Sequence, residues 1–153
     1  MQLNIRGVEV QVKEDQVANI VLQHFIGKAQ TNGNGFDPQG LKEGEQYAGI
    51  ILGKNGEQNY HLVLLPGEIE DANWQKSIDW AKSVGGELPT RREQALLYAN
   101  LKEQFKSEWY WSCEQHAADS DYAWMQGFST GGQGNDHKSD FYRARAVRRL
   151  IIQ

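Results

Sequence analysis

Carboxylates, imidazoles and a single thiol crowd the C-terminal part of this chain. Glu114, Asp119 and Asp121 fall in a stretch from 113 to 121, and Asp136 and Asp140 in a second from 129 to 140. Calcium takes about six to eight oxygen ligands from flexible loops, and these two segments offer carboxylates and amides of that kind. Their spacing matches no EF-hand, so solvated loop charge is the simpler reading. Cys113, His116 and His137 add donors that suit copper or zinc. With one cysteine no intramolecular disulfide forms, and Cys113 beside Ser112 reads as a small buried residue at a strand end. The chain carries no Gly-x-Ser-x-Gly, no Walker loop and no His-Glu-x-x-His. The expectation is therefore no catalytic residue, no cofactor and no bound metal.

Arginines form the other concentration. Read as one strand, Phe141 to Leu150 puts Arg143, Arg145, Val147 and Arg149 on one face and Tyr142, Ala144, Ala146 and Arg148 on the other. A row of guanidinium groups suits an anion, and Arg143 is retained as a ligand contact. Arg145 and Arg148 are expected to pair with Glu87 or Glu93 and to stack on tryptophan rings, a structural role. Trp109, Trp111 and Trp124, taken as exposed beside the two polar segments, join Glu114, His116, Asp119, Asn135, Asp136 and His137 in a candidate recognition surface, because rigid aromatics among small polar side chains suit binding.

The elements that must position these groups can be read in order. Leu3 to Ile5 and Val8 to Val12 alternate around Arg6-Gly7 as a small hairpin, and Asp15 is expected to cap a helix with Val17, Ile20, Val21 and Phe25 on one face and His24 at its edge. Residues 31 to 46, rich in Gly, Asn and Gln, read as a linker between a 1–30 appendage and a 47–153 domain. Tyr47 to Leu52 and Tyr60 to Leu65 are strand-like around Asn55-Gly56, a strong hairpin signal. Asp71 is the expected cap of a helix with Trp74, Ile78 and Ala81 on one stripe, ending at Gly85. Thr90-Arg91-Arg92-Glu93 has the spacing of a capping box, so a second helix starts at Thr90 with Leu97, Leu101 and Phe105 on its buried stripe. Short strands follow at 109–112, 122–128 and 141–150, with 113–121 and 129–140 as loops, an α+β pattern.

Four short motifs occur in order: LPTRRE (Leu88 to Glu93) before a helix, WYWS (Trp109 to Ser112), YAWMQGF (Tyr122 to Phe128) and ARAVR (Ala144 to Arg148). Together they resemble the C-terminal domain family first described in the Lcl adhesin, a set of bacterial and phage proteins distantly similar to the formylglycine-generating enzymes, over about Tyr47 to Ile152. The resemblance implies a C-type-lectin-like fold with two helices and short antiparallel strands, and a structural role for Thr90, Arg91, Glu93, Arg145 and Arg148. It also frames a runner-up, a metal-dependent enzyme of the formylglycine-generating type. Those enzymes rely on a pair of cysteines, and this chain has one, so a non-catalytic binding module stands ahead of it. A structural virion or assembly subunit is a third reading.

At 153 residues with net charge -4, the chain can close one core of ordinary size, and its acidic balance argues against a nucleic-acid partner. No run approaches the ~18 apolar residues of a membrane span, and the first residues lack the features of a secretory signal. The expected location is cytoplasmic or virion-associated. Expected partners are a protein or a cell-surface glycan, with homo-oligomer formation through residues 1–30.

Overall fold

The structure, a computed structural model, describes residues 2–5, 8–11 and 40–153. The chain divides into two units, Met1–Asp37 and Pro38–Gln153. In the first, β1 (Gln2–Ile5) and β2 (Val8–Gln11) pair antiparallel with Ile5 opposite Val8, the hairpin that the alternation predicts. The helix expected after Asp15, with His24 on it, and residues 31 to 39 of the expected linker lie outside the described residues.

The second unit is α+β, with two helices and eight mostly antiparallel strands in two sheets. β3 (Gln46–Ile51) and β4 (Tyr60–Leu64) form a hairpin around a turn with Asn55 at φ 54°, and β10 (Val147–Ile151) pairs with the other edge of β4. The five-stranded sheet runs β5 (Ile69–Ala72), β9 (Tyr142–Ala144), β6 (Trp109–Gln115), β7 (Tyr122–Gly127), β8 (Gln133–His137). It is antiparallel except between β6 and β9, where Tyr110 pairs with Arg143 in parallel.

α1 (Trp74–Ser83) begins two residues later than Asp71 predicts. Asn73 is the cap, its side chain accepting the Lys76 N–H at 2.9 Å. Asp71 instead belongs to β5, at φ 47°, the left-handed region that Asp tolerates better than most residues. The far end follows the sequence: Gly85 at φ 84° and Gly86 donate to the carbonyls of Lys82 and Ala81, so the orphan carbonyls of the last turn are satisfied. α2 (Arg91–Leu101) starts as read, with both halves of the capping box made: Glu93 N to Thr90 Oγ1 at 3.2 Å, and Thr90 N to Glu93 Oε2 at 2.8 Å. Phe105 lies beyond its end, after a 3-10 turn at Lys102–Gln104, and still packs with Leu97 and Leu101.

Two apolar clusters result. Under α2, Leu97 and Leu101 meet Leu62, Leu64, Val147, Tyr110 and Phe128, with Phe105 stacked on Phe128 at 3.8 Å. Under α1, Ala81 meets Leu88, Trp111, Ala123, Met125, Ala144 and Ala146. The period of a strand explains the division: Tyr110 and Gln126 point to one face of the β6–β7 pair, Trp111 and Met125 to the other.

Three expectations fail here. Phe141 to Leu150 is not one strand. It breaks at Arg145-Ala146, where the chain leaves the larger sheet for the smaller, so strand alternation does not carry across the break. The segments 113–121 and 129–140 are not all loop: β6 runs on through Gln115, which pairs with Ala123, and Gln133–His137 forms β8 by using its backbone against β7, since a ladder of main-chain bonds needs no apolar side chains. Residues 40 to 46 are not linker, because Arg148 holds both oxygens of Glu45, at 2.7 and 2.6 Å, and the Gly40 carbonyl.

The turn from β7 into β8 yields a first prediction. Gly131 has φ 80°, and a Cβ there would lie 2.7 Å from the Tyr98 ring. Gly131→Ala lowers stability by about 1–3 kcal/mol in urea denaturation. Gly132→Ala, whose Cβ meets nothing nearer than 3.6 Å, stays within about 0.5 kcal/mol.

Candidate functional site

Where the two sheets part, beside the first turn of α2, an open groove of about 960 Å³ forms. Thr90, Arg91, Arg92 and Ala95 of α2 line one side. Gln126 and Gln133 of the β7–β8 pair line a second, and Tyr60, Arg149, Leu52 and Ile151 of the smaller sheet a third. Glu114, Glu57 and Gln58 complete it.

Behind Arg149 and Tyr60 lies a buried ion pair. Glu93 is fully buried, and Arg149 grips it with Nε on Oε1 at 2.6 Å and Nη2 on Oε2 at 2.9 Å, while Tyr60 Oη donates to Oε1 at 2.6 Å. Burial alone would raise the Glu93 carboxyl, but the bonds from Arg149, Tyr60 and the Thr90 N–H outweigh it and hold it below its ordinary range. The Tyr60 hydroxyl is pushed up to about 12, first by burial and then by the adjacent carboxylate. Arg149 also pairs with Glu87. The glutamates expected to hold Arg145 and Arg148 are therefore held by Arg149. Arg145 donates instead to the carbonyls of Gln104 and Leu65, at 2.6 and 2.8 Å, and its guanidinium lies 5.3 Å from the ring of Phe105, not over a tryptophan.

On the β8 side the groove wall is a locked polar network. The guanidinium of Arg91 lies over the ring of Trp124 at 3.5 Å, and its Nε donates to Gln133 Oε1 at 3.0 Å. Gln133 Nε2 in turn donates to the Arg91 carbonyl and to Gln126 Oε1, both at 2.8 Å. Gln126 Nε2 donates to the Gln94 carbonyl at 3.1 Å. Glu114 accepts the Arg91 N–H at 2.6 Å, placing its charge at the positive end of α2. The ring of His116 stacks on Trp124 at 5.3 Å.

The residues expected to bind thus separate. Glu114 lines the groove with Thr90 and Arg91, and His116 and Trp124 back it, with exposed Asn135 opposite Trp124 in the strand register. Trp109 is exposed but belongs to the other face of the sheet, its ring against Gly127 and Gly134. Trp111 is not exposed at all: it is buried, and its Nε1 donates to the Ala72 carbonyl at 3.0 Å. Arg143 is not free, since Glu68 and Glu70 hold it. Asp119 accepts the Asp121 N–H within its own turn. Asp136 accepts the Tyr142 hydroxyl at 2.6 Å, and His137 Nδ1 meets Ser139 Oγ at 2.6 Å.

Cys113, His116 and His137 do not converge; among the described residues no three His, Cys, Asp or Glu side chains are placed to hold a metal ion. Burial raises the Cys113 thiol to about 11, so it is protonated at neutral pH. Among the described residues no helix is long and apolar enough to cross a membrane.

Gln126, Gln133 and Arg92 are groove residues that the sequence does not mark for binding, and Arg149 enters there only as one of a row of arginines suited to an anion. One signal was present: Gln126 is a polar residue in the apolar strand YAWMQGF, and a buried amide needs partners. No family model matches the chain, and no curated protein shows a significant match to it.

Proposed function

We propose that the Pro38–Gln153 unit is a C-type-lectin-like domain that works as a non-catalytic binding module, holding a protein or glycan partner in the groove beside α2. The observation that carries this reading is the Arg91–Trp124–Gln133–Gln126 network. It fixes a polar wall in one geometry before any partner arrives, and such preorganisation favours recognition because little side-chain freedom is left to lose. Glu93, the acid buried behind the groove, is matched by Arg149 and Tyr60, an arrangement that holds shape and leaves this carboxylate unavailable for proton transfer. The C-type-lectin-like assignment is supported by the order of elements, two helices followed by short strands joined by polar connections, and by the four motifs, of which LPTRRE and YAWMQGF line the groove.

The 153-residue chain exposed to an array of cell-surface glycans and to a displayed library of random peptides tests this. Gln133→Ala and Trp124→Ala weaken whatever binds by roughly tenfold, about 1.4 kcal/mol, while retaining a cooperative melt. Partners that bind both variants as they bind the parent chain would place recognition elsewhere.

A further inference from the structure

Two of the described arginines hold no carboxylate, and both belong to the first turn of α2. Arg143, Arg148 and Arg149 are ion-paired, and Arg145 is tied to two carbonyls. Arg92 is exposed and reaches only the Leu52 carbonyl, at 2.9 Å. Arg91 is held without being neutralised: its guanidinium lies 3.5 Å from the Trp124 ring and its Nε donates to Gln133 at 3.0 Å, while its two terminal nitrogens find no acceptor among the described residues. The groove's own acids are placed otherwise, Glu114 on the backbone N–H of Arg91 and Glu57 in the β3–β4 connection. A guanidinium fixed on one face and at one nitrogen presents its remaining pair as a fork of set direction, the geometry that receives a carboxylate through two parallel bonds.

The smaller sheet gives the groove an apolar side. Ile51 of β3 and Ile151 of β10 are both in register with Tyr60 of the central strand β4, so Leu52 and Ile151 stand on either side of Tyr60. Both are more than half exposed, and both line the groove. Arg92, bonded to the Leu52 carbonyl, joins this side to Arg91. These features favour a peptide over a sugar. Aliphatic side chains cannot satisfy sugar hydroxyls withdrawn from water. The amides of Gln126 and Gln133 are already spent on each other, on Arg91 and on the Gln94 carbonyl, and the Trp124 ring is taken up by Arg91 and His116.

From these features we infer that the groove takes a peptide segment in which a carboxylate, from Asp, Glu or the chain terminus, stands near an aliphatic side chain. The carboxylate lies in the fork of Arg91 with Arg92 beside it, and the aliphatic side chain packs on Leu52 and Ile151. The Gln126–Gln133 network then serves to aim Arg91. Apolar burial supplies affinity, and the charged contact supplies selectivity for the acid. This rests on the groove being the binding site and goes further by naming its occupant as an acidic peptide.

The test selects displayed random peptides on the 153-residue chain, and enriched sequences are synthesised and titrated by fluorescence polarisation. Expected are peptides that combine an acid or a free C-terminus with Leu, Ile or Val. Arg91→Gln weakens them roughly tenfold or more, and Arg91→Lys does not restore them, since an ammonium keeps the charge and loses the fork. Replacing the peptide's acid by its amide weakens binding to the parent chain equally and adds little to Arg91→Gln, the coupling expected of partners in one contact. The amide peptide reads the contact with the protein unaltered, so a change in folding cannot imitate it. Leu52→Ser and Ile151→Ser, at exposed positions, keep the melting temperature and weaken binding roughly threefold or more. Absence of enrichment, or enriched peptides indifferent to their own acid and to Arg91, overturns the inference. Glycan binding lost in Gln133→Ala, with no peptide selected, overturns the peptide assignment and leaves the groove's role standing. Binding of either class that ignores every groove variant overturns both.

Discussion

Glu93→Ala lowers the stability of the Pro38–Gln153 unit by about 3–5 kcal/mol, the range for removing one partner of a buried ion pair. The size follows from what is left behind. Arg149 loses the carboxylate that receives two of its nitrogens, Tyr60 loses its acceptor, and Thr90 loses half of its capping box. Glu87, which is exposed, remains among the described residues as the only carboxylate on Arg149 and is a weaker screen. Urea denaturation at neutral pH measures the loss. Against typical domain stabilities of ~5–15 kcal/mol, the variant sits close to the unfolding threshold at physiological temperature.

A pH titration separates the charge from the packing. The folded Glu93 carboxyl lies below its ordinary value of 4.5, so the folded state favours the ionised form and this contribution is complete above that value. It is lost as the pH falls through the depressed folded pKa, because the unfolded chain then binds the proton first. Glu93→Gln keeps the side-chain shape and does not titrate. The gap between parent and Glu93→Gln is therefore constant from neutral pH down to about 5 and narrows below it. A gap independent of pH through the acid range would mean that the Glu93 carboxyl binds its proton equally in the folded and unfolded chain.

Trp111→Ala is the second large effect, about 3–5 kcal/mol. Trp111 is fully buried in the cluster under α1, faces Met125 across the β6–β7 pair and meets the Tyr142 ring edge-on at 5.1 Å. Its removal opens a cavity among strands joined by backbone bonds, which relax little, and leaves the Ala72 carbonyl without its donor. Trp109→Ala, two residues earlier on the same strand, removes a ring that is 39% exposed and costs about 1 kcal/mol or less. The pair is best read side by side in one denaturation series. Equal losses at the two positions would contradict the burial that separates them.

That contrast also marks how far the sequence carries. WYWS places two tryptophans at strand spacing on one face, and nothing within those four residues says that one is capped by α1 and the other by solvent. The same holds for the arginines. ARAVRR shows that guanidinium groups are dense near the terminus, but their partners lie far along the chain: Glu93 is 56 residues from Arg149, and Glu45 is 103 from Arg148. Of the groove, Thr90, Arg91 and Glu114 were named from sequence. Gln126, Gln133 and Arg92 were not, because their roles come from the meeting of α2 with β7 and β8.

What the chain by itself determined was local: the start of α2, set by a hydroxyl and a carboxylate one turn apart; the end of α1, set by a glycine that tolerates positive φ; and the β3–β4 hairpin, set by its Asn-Gly turn. Tertiary structure alone decided the break at Arg145-Ala146, the strand made from Gln133–His137 and the pairing of Arg149 with Glu93. The reason is one of range. Caps and turns are settled among residues a few bonds apart, whereas an edge strand or a buried ion pair exists only once distant segments have been brought together and water has been excluded between them.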